Sequence, residues 1–133
     1  MKPIDFGEPP QMKGSPVYGL VADLQVATRI AQVAKICHLA CHNFDRAEGL
    51  GAHAKQKRPS VILIDWNGCE AEAFKVLNML RQDADLRKVP VVGFFSPAKS
   101  ALVDEARKAG CDRLYPKTEF LRTLEEIVAR YAL

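Results

Sequence analysis

The sequence has little of what marks the specialised protein classes. Four cysteines in 133 residues are too few for a scaffold held by disulfides. No apolar run approaches the ~20 residues needed to span a bilayer, and the first fifteen residues lack a signal peptide's hydrophobic centre. Reduced thiols and a cytoplasmic location are therefore expected. Charge of one sign is scarce too: 19 basic against 16 acidic residues leave a net charge of +3. That bias is too mild to argue for a nucleic-acid partner. What is present, 48% hydrophobic and 26% charged residues, suits one soluble globular domain of ordinary size.

Residues 1–16 hold four of the eight prolines and two of the eight glycines. They show no helical or strand periodicity and read as a flexible leader, with the domain expected over 17–133. Val17–Ala22 is a short apolar run ending at Asp23, the pattern of a strand buried on both faces. Val26, Ile30, Val33, Ala34 and Cys37 then recur at helical spacing. His38–Cys41 reads as a second strand and Asp45–Gln56 as a weak helix. Ser60–Trp66 is the clearest buried strand, followed by a helix carrying Phe74, Leu77 and Leu80 on one face. Val89–Phe95 is a fourth strand, with its proline near the entry.

Ser96–Pro97 reads as a helix opening, the serine hydroxyl capping and the proline suiting the first turn. That helix stops at Gly110, a left-handed C-terminal residue. Arg113–Tyr115 is a short fifth strand, and one closing helix runs from about Thr118 through Tyr131. Strands alternate with helices five times, and two strands are apolar throughout. The expected fold is α/β: a doubly wound, five-stranded parallel sheet with helices on both faces.

In such a sheet, ligands bind beyond the carboxyl ends of the strands. Asp23, Asp65-Trp66-Asn67, Phe95-Ser96 and Pro116-Lys117 end strands one, three, four and five. Two carboxylates and a lysine at one crevice could hold a hard cation and a phosphoryl group.

From Val17 onward the chain resembles a response-regulator receiver domain of the chemotaxis-regulator type. The likeness rests on Asp65 after Val61-Ile62-Leu63-Ile64, on Val89-Pro90-Val91-Val92, and on Ala109-Gly110-Cys111-Asp112 with Lys117 seven positions after Gly110. It implies a flavodoxin-like strand order, 2-1-3-4-5. It also implies Asp65 as the aspartate that accepts a phosphoryl group from a histidine kinase, and Lys117 as the phosphoryl partner. Asp23, Asp65 and the Asn67 carbonyl would be ligands of Mg²⁺. A carboxylate attacks phosphorus in line only if metal and lysine offset the charge that accumulates there.

Several residues depart from that pattern. Receivers end strand one with two adjacent acids, where this chain has Val21-Ala22-Asp23-Leu24. Counting from Arg29 puts Asp23 at the first acid. Matching the helix's apolar stripe puts it at the second, with Ala22 as the lost partner. The family's strand-four hydroxyl falls on Phe95, its strand-five aromatic on Leu114, and its proline after the lysine on Thr118. These departures suit a pseudo-receiver, a relative that keeps the fold and signals by contact without phosphorylation. The surface expected to make that contact is Ser96–Arg130.

Asp65 also reads as a locally hydrogen-bonded strand-end acid, Asp23 as a helix N-cap, and Lys117 as a solvated lysine or a partner that keeps Asp65 ionised. Cys37, His38, Cys41 and His42 lack the spacing of a zinc site, and the two cysteines read as small core residues. The basic run His53–Arg58 reads as a solvated helix end.

The sequence thus points to a receiver-like signalling module of two-component type, acting through a protein partner such as a histidine kinase or downstream effector. It is not an enzyme beyond self-phosphorylation and dephosphorylation at Asp65. No cofactor is required, Mg²⁺ is admissible, a homodimer is open, and neither nucleic acid nor membrane is expected as a partner. The alternatives are a working receiver phosphorylated on Asp65 with Mg²⁺ and, more distantly, a flavodoxin-like small-ligand binder.

Overall fold

The computed structural model describes residues 14–132. Five parallel strands form one sheet in the order β2-β1-β3-β4-β5. The strands are β1 (Val17–Leu20), β2 (Cys41–Asn43), β3 (Val61–Asp65), β4 (Val91–Phe95) and β5 (Arg113–Pro116). The helices are α1 (Leu24–Ile36), α2 (Ala47–Gln56), α3 (Glu70–Gln82), α4 (Val103–Ala109), α5 (Lys117–Arg122) and α6 (Leu124–Ala132). The expected doubly wound α/β fold and strand order are those observed.

The apolar strands explain the two-layered core. Side chains alternate across a strand, so a strand apolar at every position must be covered on both sides. Ile62, Ile64 and Trp66 pack with Leu50 of α2 and Val76, Leu77 and Leu80 of α3. Val61 and Leu63 pack on the other face with Ile30 and Val33 of α1 and Leu124 and Val128 of α6. Cys37 and Cys41 are half-buried against this second cluster.

The structure corrects the sequence reading at several points. Strand two is Cys41–Asn43, not His38–Cys41. His38 takes a left-handed φ of 59° after α1, and Leu39 and Ala40 are buried in the connection. Ser96 makes no side-chain cap, and a 3₁₀ turn over Pro97–Leu102 precedes α4. The closing helix is two helices, broken at Thr123, whose Oγ1 donates to the Glu119 carbonyl at 2.8 Å. A hydroxyl bonded to the preceding turn competes with the helical ladder and bends it. Gly110 does end α4, with φ of 113°. Residues 1–13 of the expected leader lie outside the described residues. Pro16, at the end of that leader, is buried, and its carbonyl accepts from Ser60 N at 2.8 Å.

Candidate functional site

All five strands are parallel, so their carboxyl ends open on one rim, and the strand-end residues meet there. Asp65 closes β3 with only 2% of its surface exposed. Its Oδ2 accepts from the main-chain N–H groups of Ala22 and Asp23, each at 3.3 Å. Its Oδ1 accepts from Asn67 N at 2.9 Å. A buried carboxylate needs such donors, and here the backbone of two loops supplies them. Ala22 contributes through its amide.

Asp23 is the N-cap of α1, its Oδ1 accepting from Gln25 N at 3.0 Å and Val26 N at 3.2 Å. Its Oδ2 takes the Lys117 ammonium at 2.8 Å. Lys117 therefore pairs with Asp23 and not, as one sequence reading had it, with Asp65. The lysine's hydrogen bond leads, with the Val26 amide behind it, in holding the Asp23 carboxyl below the usual carboxylate range.

A group whose pKa falls on folding adds stability above its unfolded value of about 4, and that stability is lost as pH drops through the folded value. Asp23→Asn keeps a capping oxygen and loses the ion pair, whose side chains are about a third exposed. It should cost under about 1 kcal/mol at pH 7. Urea titrations of both proteins should show that difference shrinking as the pH falls below about 4; a difference that stays constant with pH would put the effect in the cap.

Three further contacts at the rim were not legible from residue types. The Asn67 side chain accepts Ser96 N through Oδ1 at 2.7 Å, tying the β3–α3 loop to the end of β4. Glu70 and Lys99 pair at 3.1 Å, linking the start of α3 to the 3₁₀ turn. Phe94 stacks on Phe120 with ring centroids 4.7 Å apart. Phe95, at the place of the family's hydroxyl, is half-buried against the core on the α2–α4 face. Leu114 packs on that same face, while Tyr115 lies against the other.

The carboxylates that would meet a Mg²⁺ ion at this rim are engaged by hydrogen bonds. Mg²⁺ needs near-octahedral oxygen ligands, usually one or two carboxylates with waters. Both oxygens of Asp23 and both of Asp65 already accept hydrogen bonds, and a methyl group stands at Ala22. An open depression of about 620 Å³ lies beside Asp65, towards β2, lined among others by Ala22, Leu24, Phe44 and Cys69. Burial leads in raising the Cys69 thiol pKa, with the nearby Asp65 charge acting in the same direction, so the thiol is no ready nucleophile. No group of three or more His, Cys, Asp or Glu side chains among the described residues could hold a metal ion.

No protein-family model matches the sequence, and no curated protein matches it. Solved structures do match. The receiver domain of a Pseudomonas aeruginosa sensor histidine kinase, with magnesium in its active-site cleft, superposes with a TM-score of 0.74 at 16% identity, covering 90% of this chain and 98% of that one. The signal receiver domain of a Bacteroides fragilis response regulator gives 0.72 at 21% identity, covering 89% and 96%. A chemotaxis response regulator of Vibrio cholerae gives 0.71 at 16%, covering 90% and 99%. The class defined is thus the receiver-domain fold of response regulators. Within it, this chain's rim has one acid at the end of β1, a lysine paired with that acid, and an aspartate bound by main-chain amides.

Proposed function

We propose that the chain is a receiver-like signalling module of two-component type whose output is protein contact independent of phosphorylation. The observation carrying this reading is that the rim's charged groups are engaged with one another and with the main chain. Asp65 gives both oxygens to main-chain N–H groups, and Lys117 spends its charge on Asp23. Phosphorylation of an aspartate needs one oxygen free to attack and a cation beside it. In this chain the Asp65 oxygens tie the β1–α1 and β3–α3 loops together through those amides. Asp23, Asp65, Asn67 and Lys117 then serve as a structural latch at the place where relatives do chemistry. No enzyme activity, Mg²⁺ or other cofactor is required for that role.

The partner, a histidine kinase or downstream effector, would be met on Ser96–Arg130. A groove of about 80 Å³ in this region is lined by Tyr115, Thr123, Glu126, Ile127, Arg130 and Tyr131. It offers Tyr115, Tyr131 and Arg130, residue types enriched at interfaces.

Intact-mass measurement after incubation with acetyl phosphate and Mg²⁺ tests the proposal. The expected result is no phosphoryl adduct, and Trp66 fluorescence that does not respond to Mg²⁺ with or without beryllofluoride. A stable Mg²⁺-dependent acyl phosphate that disappears in Asp65→Asn would establish the working receiver instead. Mass is the primary readout because Asp65→Asn turns an NH₂ group towards an N–H donor and disturbs the latch by itself.

A further inference from the structure

Every helix here returns antiparallel to the strands, so all helix C-termini and strand N-termini share the pole opposite the candidate site. That pole is strongly basic, although the chain's net charge is only +3. Lys57 and Arg58 follow α2, Arg87 and Lys88 lie between α3 and β4, and Arg113 opens β5; all five are exposed. The acids at this pole are largely spoken for. Among the described residues, Asp83 pairs with Lys55 and Asp112 with Arg81, leaving Asp85 as the counter-charge. The opposite pole carries acids in the first turns of α2, α3, α4 and α5.

Cations in the last turn of a helix complement its dipole, which accounts for Arg107 and Lys108 of α4. It does not account for the five that stand outside the helices. Those five are also joined. The Lys55–Asp83 ion pair binds the end of α2 to the end of α3. Arg81 donates to the carbonyls of Arg87, Val89 and Gly110, fixing the α3–β4 loop against the turn before β5. The segments that carry these cations are therefore tied together across three helix ends. On the same pole, at the end of α1, Ile36 is 61% exposed beside Lys35.

We propose that this basic pole docks on an anionic lipid bilayer. A plane of phosphate headgroups faces cations gathered at one pole, and each Lys or Arg within a Debye length of it adds to the attraction. An exposed aliphatic side chain on the same pole suits the headgroup boundary. A duplex is served better by an element shaped to enter a groove, and single strands by exposed aromatics for stacking; neither lies among these cations. Docked this way, the chain turns its acidic rim and Asp65 away from the lipid.

Flotation of the full chain with vesicles at low salt tests this. The chain should float with an equal mixture of phosphatidylcholine and phosphatidylglycerol, stay behind with phosphatidylcholine alone, and release as salt rises. Arg87→Glu/Lys88→Glu should weaken the binding by at least about tenfold. Arg46→Glu/Arg122→Glu, the same charge change away from the pole, should leave it within about twofold. Thermal melts of both double variants establish that they are folded. No flotation at low salt, equal flotation on both vesicles, or binding unaffected by Arg87→Glu/Lys88→Glu would each overturn the proposal. So would duplex DNA that strips the chain from anionic vesicles at equal phosphate concentration, which would make the pole a nucleic-acid surface. None of these outcomes depends on whether Asp65 is phosphorylated.

Discussion

Gly93→Ala should lower the free energy of unfolding by about 3 kcal/mol and the melting temperature by on the order of 10 °C. Gly93 sits in the middle of β4, paired with Ile64 of β3 on one side and Leu114 of β5 on the other. A strand interior gains little from glycine unless something approaches its backbone closely. Here the approaching group is Trp66. A Cβ at position 93 would lie 2.6 Å from Trp66 Cδ1 and 3.1 Å from Leu114 Cδ2. The indole cannot yield, because it is fully buried and Phe74 packs edge-on against it at 4.9 Å. The added methyl must move the ring, the strand, or both.

A double-mutant cycle separates this clash from the ordinary effect of alanine in a strand. In a Trp66→Leu background the same Gly93→Ala change should cost much less, with a coupling of about 1–3 kcal/mol. Urea unfolding with an unchanged m-value is the measurement. Equal costs in both backgrounds would show that the indole does not set the residue at 93.

This pair also marks how far the sequence could be read. The strands β1, β3 and β4 were legible because burial on both faces leaves nothing polar to alternate with. From them followed the parallel sheet, and from the sheet the rim where Asp23, Asp65 and Lys117 gather. Strand β2 was misplaced because its apolar residues are not in it. Leu39 and Ala40 are buried in the connection, whereas the edge strand itself carries His42 and Asn43. Edge strands are short and half-solvated, so hydrophobicity marks them poorly. The break at Thr123 was hidden for the opposite reason. Phe120, Leu124, Ile127 and Val128 are buried on both sides of it, so the period persists through the bend.

At the rim, residue types showed which groups would meet but not how they would pair. Two acids and one lysine allow either match, and the outcome turns on main-chain amides. Ala22, Asp23 and Asn67 present their N–H groups to Asp65, which frees Lys117 for Asp23. Amide directions are set by loop geometry, which side-chain spacing does not encode. The basic pole was hidden similarly, since its cations are scattered singly and in pairs along the chain and only the topology collects them.

Arg81 is the second position where a large effect is expected, about 3 kcal/mol for Arg81→Met. Its Nη1 donates to the Arg87 carbonyl at 2.7 Å and the Val89 carbonyl at 3.2 Å. Its Nη2 donates to the Gly110 carbonyl and to Asp112 Oδ2, the latter at 3.2 Å. That same Asp112 oxygen accepts Val91 N at 2.8 Å, so the network reaches the first residue of β4. Methionine keeps the stem's packing but leaves main-chain carbonyls, partly buried at Val89 and Gly110, without a charged donor. Such groups lose more than the mean hydrogen-bond energy when they cannot recover water. Gly110 is locked into the same arrangement twice over: its φ of 113° disfavours a side chain, and a Cβ there would lie 2.6 Å from Arg81 Nε. Gly110→Ala in the native background should therefore combine strain and clash, whereas in Arg81→Met only the backbone term of about 1–2 kcal/mol should remain. If alanine costs the same in both backgrounds, the guanidinium does not press on this turn, and the network's contribution must come from the α3–β4 loop alone.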